Sequence, residues 1–147
     1  MSRPFYESME DTLAEMSVAK IASARWDCKL EKLKRAYPVD FAVVKNGKIV
    51  SFAEVKCRKY DMSKLDSMSG FMLSLHKWIA AKSLCRETGL PFILLVKAND
   101  GIWFMKTDMF VNDGIVIGGR HDRGDDQDVE PVVLLKADKF RWLAHHM

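Results

Sequence analysis

Cysteine is scarce in this sequence. The three present (Cys28, Cys57 and Cys85) are an odd number and include no Cys-x-x-Cys pair. That argues against an internal disulfide framework and against a four-cysteine zinc or iron–sulfur site. The thiols read as free groups in a reducing compartment. Long apolar runs are missing too. The longest, Pro91-Phe92-Ile93-Leu94-Leu95-Val96, has the length of a strand, whereas a membrane span needs roughly 18–20 residues. The opening residues, Met1 to Tyr6, lead into polar, helix-like sequence with no apolar signal core, so a cytoplasmic protein with no membrane partner is expected. There are only four prolines and eight glycines, with no repeat, low-complexity tract or linker. Collagen-like, disordered and multi-domain readings are excluded on that basis. No zinc finger, RNA-recognition motif or glycine-rich phosphate loop is present, so no nucleotide cofactor is expected. Neither sign of charge dominates: 23 basic against 20 acidic side chains leave +3, which neither demands nor forbids a nucleic-acid partner.

What is present suits one soluble domain. The chain has 147 residues and is 48% hydrophobic, a size that buries about two thirds of the unfolded surface. Residues 4–26 read as a helix, with Met9, Leu13 and Met16, and later Ile21 and Ala24, recurring at spacings of three and four. Cys28 to Leu33 is a short strand candidate. Val39–Val44 and Lys48–Cys57 read as strands around an Asn46-Gly47 turn. Residues 59–70 are polar and read as a loop. Phe71 to Glu87 reads as a second helix, with Phe71, Leu75, Trp78 and Ile79 on one stripe and Thr88-Gly89 at its end. Phe92–Val96 and Ile102–Thr107 flank an Asn99-Asp100-Gly101 turn. Beyond residue 107 the chain reads as an irregular extension, with an apolar run at Ile115–Ile117, a strand at Val132–Leu135 and a short helix at Phe140–His145. The expected class is α/β, a mixed sheet flanked by helices.

The stretch from Asp40 to Lys56 carries the chemistry. Two carboxylates and a lysine stand inside otherwise apolar strands. Glu54 and Lys56 are two apart and share a face. Whether Asp40 joins them depends on the turn. A two-residue Asn46-Gly47 loop pairs Asp40 with Ala53 and turns it away. A three-residue loop, Lys45-Asn46-Gly47, pairs Val44 with Lys48 and Asp40 with Phe52, bringing Asp40 to the face of Glu54. The three-residue loop is adopted here because the chemistry requires a shared face, although a bulge elsewhere would also correct the parity. Two neighbouring carboxylates repel each other, and a divalent cation compensates both. Hard oxygen ligands suit Mg²⁺ or Mn²⁺. Such an ion polarises a phosphodiester and acidifies a bound water, while an ammonium orients that water or balances developing charge.

Pro38-Val39-Asp40, a hairpin, and then Glu54-Val55-Lys56, preceded and followed by a helix, resemble the PD-(D/E)XK nuclease superfamily, in particular its small Holliday-junction-resolvase-like and phage-type members. The resemblance covers about residues 5–107, an αβββαβ restriction-endonuclease-like core, and leaves 108–147 as an extension of one nuclease domain. Val39 departs from the adjacent Pro-Asp of the family name. The resemblance implies Mg²⁺-dependent hydrolysis of DNA or, less often, RNA. It makes Asp40 and Glu54 metal ligands, with the Val55 carbonyl as a further one, and gives Lys56 the attacking water. It also implies a glutamate from the first helix, for which Glu15 is the candidate and Glu7 and Glu10 are rivals. A basic residue is implied on the helix after Glu-x-Lys, which Lys77 matches. Resolvase-like relatives pair, so a homodimer is a further expectation.

Charge is segregated along the chain. Residues 45–86 hold nine lysines and arginines against three acids, and residues 99–130 hold three bases against eight acids. Arg58, Lys59, Lys64, Lys77 and Lys82 are candidate backbone contacts for nucleic acid. The mixed segment Gly118–Glu130 reads as an acidic surface loop, within which Arg120, His121 and Arg123 could reach DNA or a second subunit. A metal-dependent endonuclease acting on DNA, branched DNA included, in repair, recombination or phage DNA processing is the leading reading. A non-catalytic nucleic-acid-binding or assembly protein on the same fold is the alternative.

Overall fold

The computed structural model describes residues 9–118 and 129–145. Helix α1 (Met9–Trp26) comes first, followed by strands β1 (Lys29–Lys32), β2 (Phe41–Lys45) and β3 (Lys48–Cys57). A 3-10 segment over Met62–Ser67, strand β4 (Phe71–Ser74) and helix α2 (Leu75–Thr88) come next. Strands β5 (Phe92–Ala98), β6 (Gly101–Thr107), β7 (Ile115–Gly118), β8 (Glu130–Leu135) and β9 (Arg141–Ala144) complete the order. Six strands form one mixed sheet in the order β1-β2-β3-β5-β6-β9. Its β3 and β5 are parallel, joined by the α2 crossover, and its other pairs are antiparallel. This is the expected restriction-endonuclease-like arrangement, with one helix against each face.

Alternation along the strands separates the two faces. Phe41, Val43, Ala53, Val55, Ile93 and Leu95 pack with Val18, Ala19 and Ala22 of α1. Ala42, Phe52, Phe92, Leu94 and Val96 pack with Trp78, Ala81 and Cys85 of α2 and with a smaller sheet. Strands buried on both faces read as continuous apolar runs, as Phe92–Val96 does.

Three expectations need correction, none of them on α1, where Met9, Leu13 and Met16 point outward at 77%, 64% and 46% exposure. The packed stripe is Glu15, Val18, Ala19 and Ala22, whose small side chains let the helix approach closely. Helix α2 begins at Leu75, because Phe71–Ser74 pairs with Leu135–Val132 as strand β4. Ile79 therefore points outward at 54% exposure, while Trp78 is buried. Phe140–His145 is not helical. Residues 141–144 pair with β6 and close the far edge of the main sheet. A short apolar run does not reveal its own period, and an open strand edge nearby decides the outcome. Finally, the segment after residue 107 is no irregular appendage, since β8 with β4 and β7 forms a second three-stranded sheet over the α2 face.

Gly70 shows how tightly that second sheet is seated. Its φ of +130° is unavailable to most residues, and an added Cβ would stand 2.8 Å from the Leu135 carbonyl oxygen. Backbone cannot yield there as a flexible side chain could. Gly70→Ala is expected to destabilise the fold by about 1–3 kcal/mol, read as a lower urea midpoint with an unchanged slope.

Candidate active site

The β2–β3 turn is the two-residue form and not the three-residue form adopted above. Lys45 pairs with Lys48, and Asn46 (φ 53°) and Gly47 (φ 77°) occupy the turn, the positive φ pair that suits the strand twist. The parity is corrected further along. Val43 pairs with Ser51 but Val44 with Ile49, so Val50 is an extra, bulged residue. Phe41 then pairs with Ala53, and continuing that register sets Asp40 across from Glu54. The Asp40 amide donates to Glu54 Oε1 at 3.2 Å, and the Val55 amide donates to Asp40 Oδ2 at 3.0 Å. Each carboxylate thus locks the backbone of the opposite strand.

Glu54 is only 2% exposed. Burial pushes its carboxyl above the usual range and the neighbouring Asp40 charge adds to this, while Lys56 and Lys77 pull it down without cancelling the rise. Lys56 Nζ lies 3.5 Å from Glu54 Oε2. Lys77 Nζ lies 3.3 Å from Glu54 Oε1 and donates to the Pro38 carbonyl at 2.6 Å. Lys77 comes from the first turn of α2, one helical turn ahead of buried Ala81, whose small side chain allows the helix close to the sheet. The structure thus brings Asp40, Glu54, Lys56 and Lys77 together on the α2 side of the sheet.

Glu15 occupies the α1 side. It is nearly buried and pairs with Lys32, whose ammonium also stands 3.6 Å from Asp40 Oδ1 and 5.2 Å from the centre of the Phe41 ring. Lys32 is therefore the link between Glu15 and Asp40. Sequence reasoning missed it, because its place depends on β1 pairing with β2, which sets Lys32 opposite Phe41. Three carboxylates (Glu15, Asp40, Glu54) and three ammonium groups (Lys32, Lys56, Lys77) make up this chain of contacts.

The other basic candidates sit differently. Arg58 donates to the Cys57 and Met72 carbonyls and lies 4.8 Å from the Phe71 ring centre, so it ties β3 to β4. Lys59, Lys64 and Lys82 are exposed, as is His76. Arg120, His121 and Arg123 lie outside the described residues, as does Glu7, while Glu10 is exposed on α1.

Asp40 and Glu54 are the hard-oxygen pair that could hold a divalent cation, and a cation there would oppose the burial and the Asp40 charge that together push the Glu54 carboxyl up. Among the described residues no three His, Cys, Asp or Glu side chains converge on one ion-sized space. Glu15, in particular, meets Asp40 through Lys32.

The raised carboxyl has a thermodynamic sign. A folded state that holds the Glu54 proton more tightly than the unfolded chain gains stability from it at acid pH, and loses that gain as pH rises through the raised value. In chelator, Glu54→Gln is therefore expected to melt a few degrees above the parent at pH 7, with the difference shrinking towards pH 4. Thermal melts across that range check it.

The family described as "Phage putative PDDEXK endonuclease" matches residues 1–143. No curated protein matches the chain. The match spans both carboxylates, the Glu-x-Lys lysine and, among the described residues, both helices and the strands from β1 to β9 as far as Leu143. The chain belongs to this phage PD-(D/E)XK endonuclease family.

Proposed function

We propose that the protein is a divalent-metal-dependent endonuclease that hydrolyses DNA phosphodiester bonds and prefers branched DNA. The observation that carries this is Asp40 set across from buried Glu54, with the Lys56 and Lys77 ammonium groups on the same carboxylate. In this reading Asp40, Glu54 and the Val55 carbonyl hold Mg²⁺, with Mn²⁺ as a substitute. The ion supplies Lewis-acid stabilisation of the phosphoryl charge and a more acidic water. Lys56, two residues beyond Glu54 and partly exposed, orients that water. Lys77 offsets the Glu54 charge and holds the Pro38 carbonyl, which fixes the approach to Asp40. Glu15 acts through Lys32. Lys59, Lys64 and Lys82 offer exposed cations to the DNA backbone, and the proposal extends to a homodimer that presents two sites to a symmetric branched substrate.

One observation favours a second reading. Each of the three carboxylates has an ammonium partner, as suits a non-catalytic DNA-binding protein on the same fold. That protein would form a salt-sensitive complex indifferent to chelator.

The test is incubation with linear, nicked and four-way-junction DNA in Mg²⁺ or Mn²⁺. Asp40→Ala and Glu54→Ala are expected to lower cleavage by on the order of 10²–10³-fold or more, equivalent to several kcal/mol of metal stabilisation. Lys56→Ala should cost on the order of 10²-fold. Glu15→Ala should cost less than either carboxylate at the metal. Cleavage by Asp40→Ala at the parental rate would sink the nuclease reading. A Mg²⁺-dependent rise in melting temperature, absent in Asp40→Ala, checks the ion independently of turnover.

A further inference from the structure

The connection between β1 and β2 leaves the sheet beside Asp40 and carries a feature that the hydrolytic chemistry does not use. Leu33 donates its amide to the Asp40 carbonyl at 2.8 Å, closing the base of the loop. Tyr37 donates to the Lys34 carbonyl at 2.9 Å, so Lys34-Arg35-Ala36-Tyr37 is a hydrogen-bonded turn. Pro38 follows with a fixed φ, and its carbonyl is held by Lys77 at 2.6 Å. The turn is therefore anchored at its base, across its tip and from α2. All four of its residues are exposed, and the Tyr37 side of the turn presents a large aromatic residue at 53% exposure. Residues 33–39 contain two cations and no acid.

Position gives this turn its meaning. Tyr37 is three residues from Asp40, so its Cα is within about 11 Å of that of the carboxylate residue. Lys34 and Arg35 follow directly on Leu33, whose amide holds the Asp40 carbonyl, so their exposed cations lie in the same loop as Asp40 and suit the phosphates of a DNA strand approaching it. In a continuous duplex the faces of every base are covered by neighbours, so an exposed ring has nothing to stack on. At a branch, fork or unpaired stretch a base face is open, and a tyrosine on a turn whose backbone is already held offers it a partner with less backbone freedom to lose.

We propose that the Lys34–Tyr37 turn is the structure-reading element of this site: Lys34 and Arg35 engage backbone phosphates, and Tyr37 stacks on an unpaired base next to the bond to be cut. This rests on the nuclease reading and assigns its substrate class, DNA with unpaired bases beside the scissile phosphate.

Binding measured in chelator separates the two proposals, because it requires no cleavage. Fluorescence anisotropy would compare a perfect duplex with the same duplex carrying three unpaired nucleotides, over a salt series. Tyr37→Ala is expected to weaken binding to the unpaired substrate by about 5- to 100-fold and to leave the duplex affinity unchanged, and Tyr37→Trp should restore it. A Lys34→Ala/Arg35→Ala double variant should weaken both complexes and lower the salt slope on the duplex by about 1.8. Equal binding of both DNAs by Tyr37→Ala and the parent, or an unchanged salt slope in the double variant, overturns the inference even if the parent cuts DNA. A parent that binds neither DNA in chelator overturns this inference alone, since the nuclease reading is decided separately by cleavage in Mg²⁺ or Mn²⁺.

Discussion

A carboxylate shut away from water beside a second carboxylate is costly, and the arrangement around Glu54 can be understood as the means of tolerating it. Asp40 adds to the cost by its charge, yet it also spends one oxygen on the Val55 amide and gives its own amide to Glu54. Lys56 arrives on the same strand, two residues on, and Lys77 from the helix that crosses over to β5. The remaining upward push on Glu54 is what a divalent cation would relieve.

The acids and their partners lie on two sides of one sheet, which shapes what each can do. Asp40, Glu54, Lys56 and Lys77 share the α2 side. Glu15 belongs to the α1 side and reaches the others through Lys32, which the strand pairing holds opposite Phe41. Charge on α1 is therefore felt at the site through an intermediary that also touches Asp40. A change in α1 that moves Glu15 would move the ammonium beside Asp40 as well.

Much of this was legible in the residues because strand geometry is strict. Glu54 and Lys56 had to share a face, and the Asp40-to-Lys56 stretch could hardly be anything but two strands around Asn46-Gly47. The register was not legible. Two residues in the turn gave one parity and the Val50 bulge restored the other, and a bulge in an apolar strand leaves no mark in composition. Lys77 was visible from its place on the helix after Glu-x-Lys. Lys32 was not, since its role exists only once β1 is laid against β2. The strands at 71–74 and 141–144 were mistaken for helix because four apolar-rich residues obey either period, and only their partners, β8 and β6, decide.

The hairpin also bears on how the molecule comes together. Asp40 and Glu54 are separated by a short stretch closed by a favourable turn, so β2 and β3 can meet on the microsecond scale of hairpin formation. Lys77 reaches them only after the chain has crossed over through α2, a more distant and slower contact. In a hairpin formed ahead of the crossover the two acids would face each other before the helix delivers its lysine. Such a hairpin would carry a repulsion between its acids, and of the two ammonium groups that meet Glu54 among the described residues it would hold only Lys56, which is close in sequence.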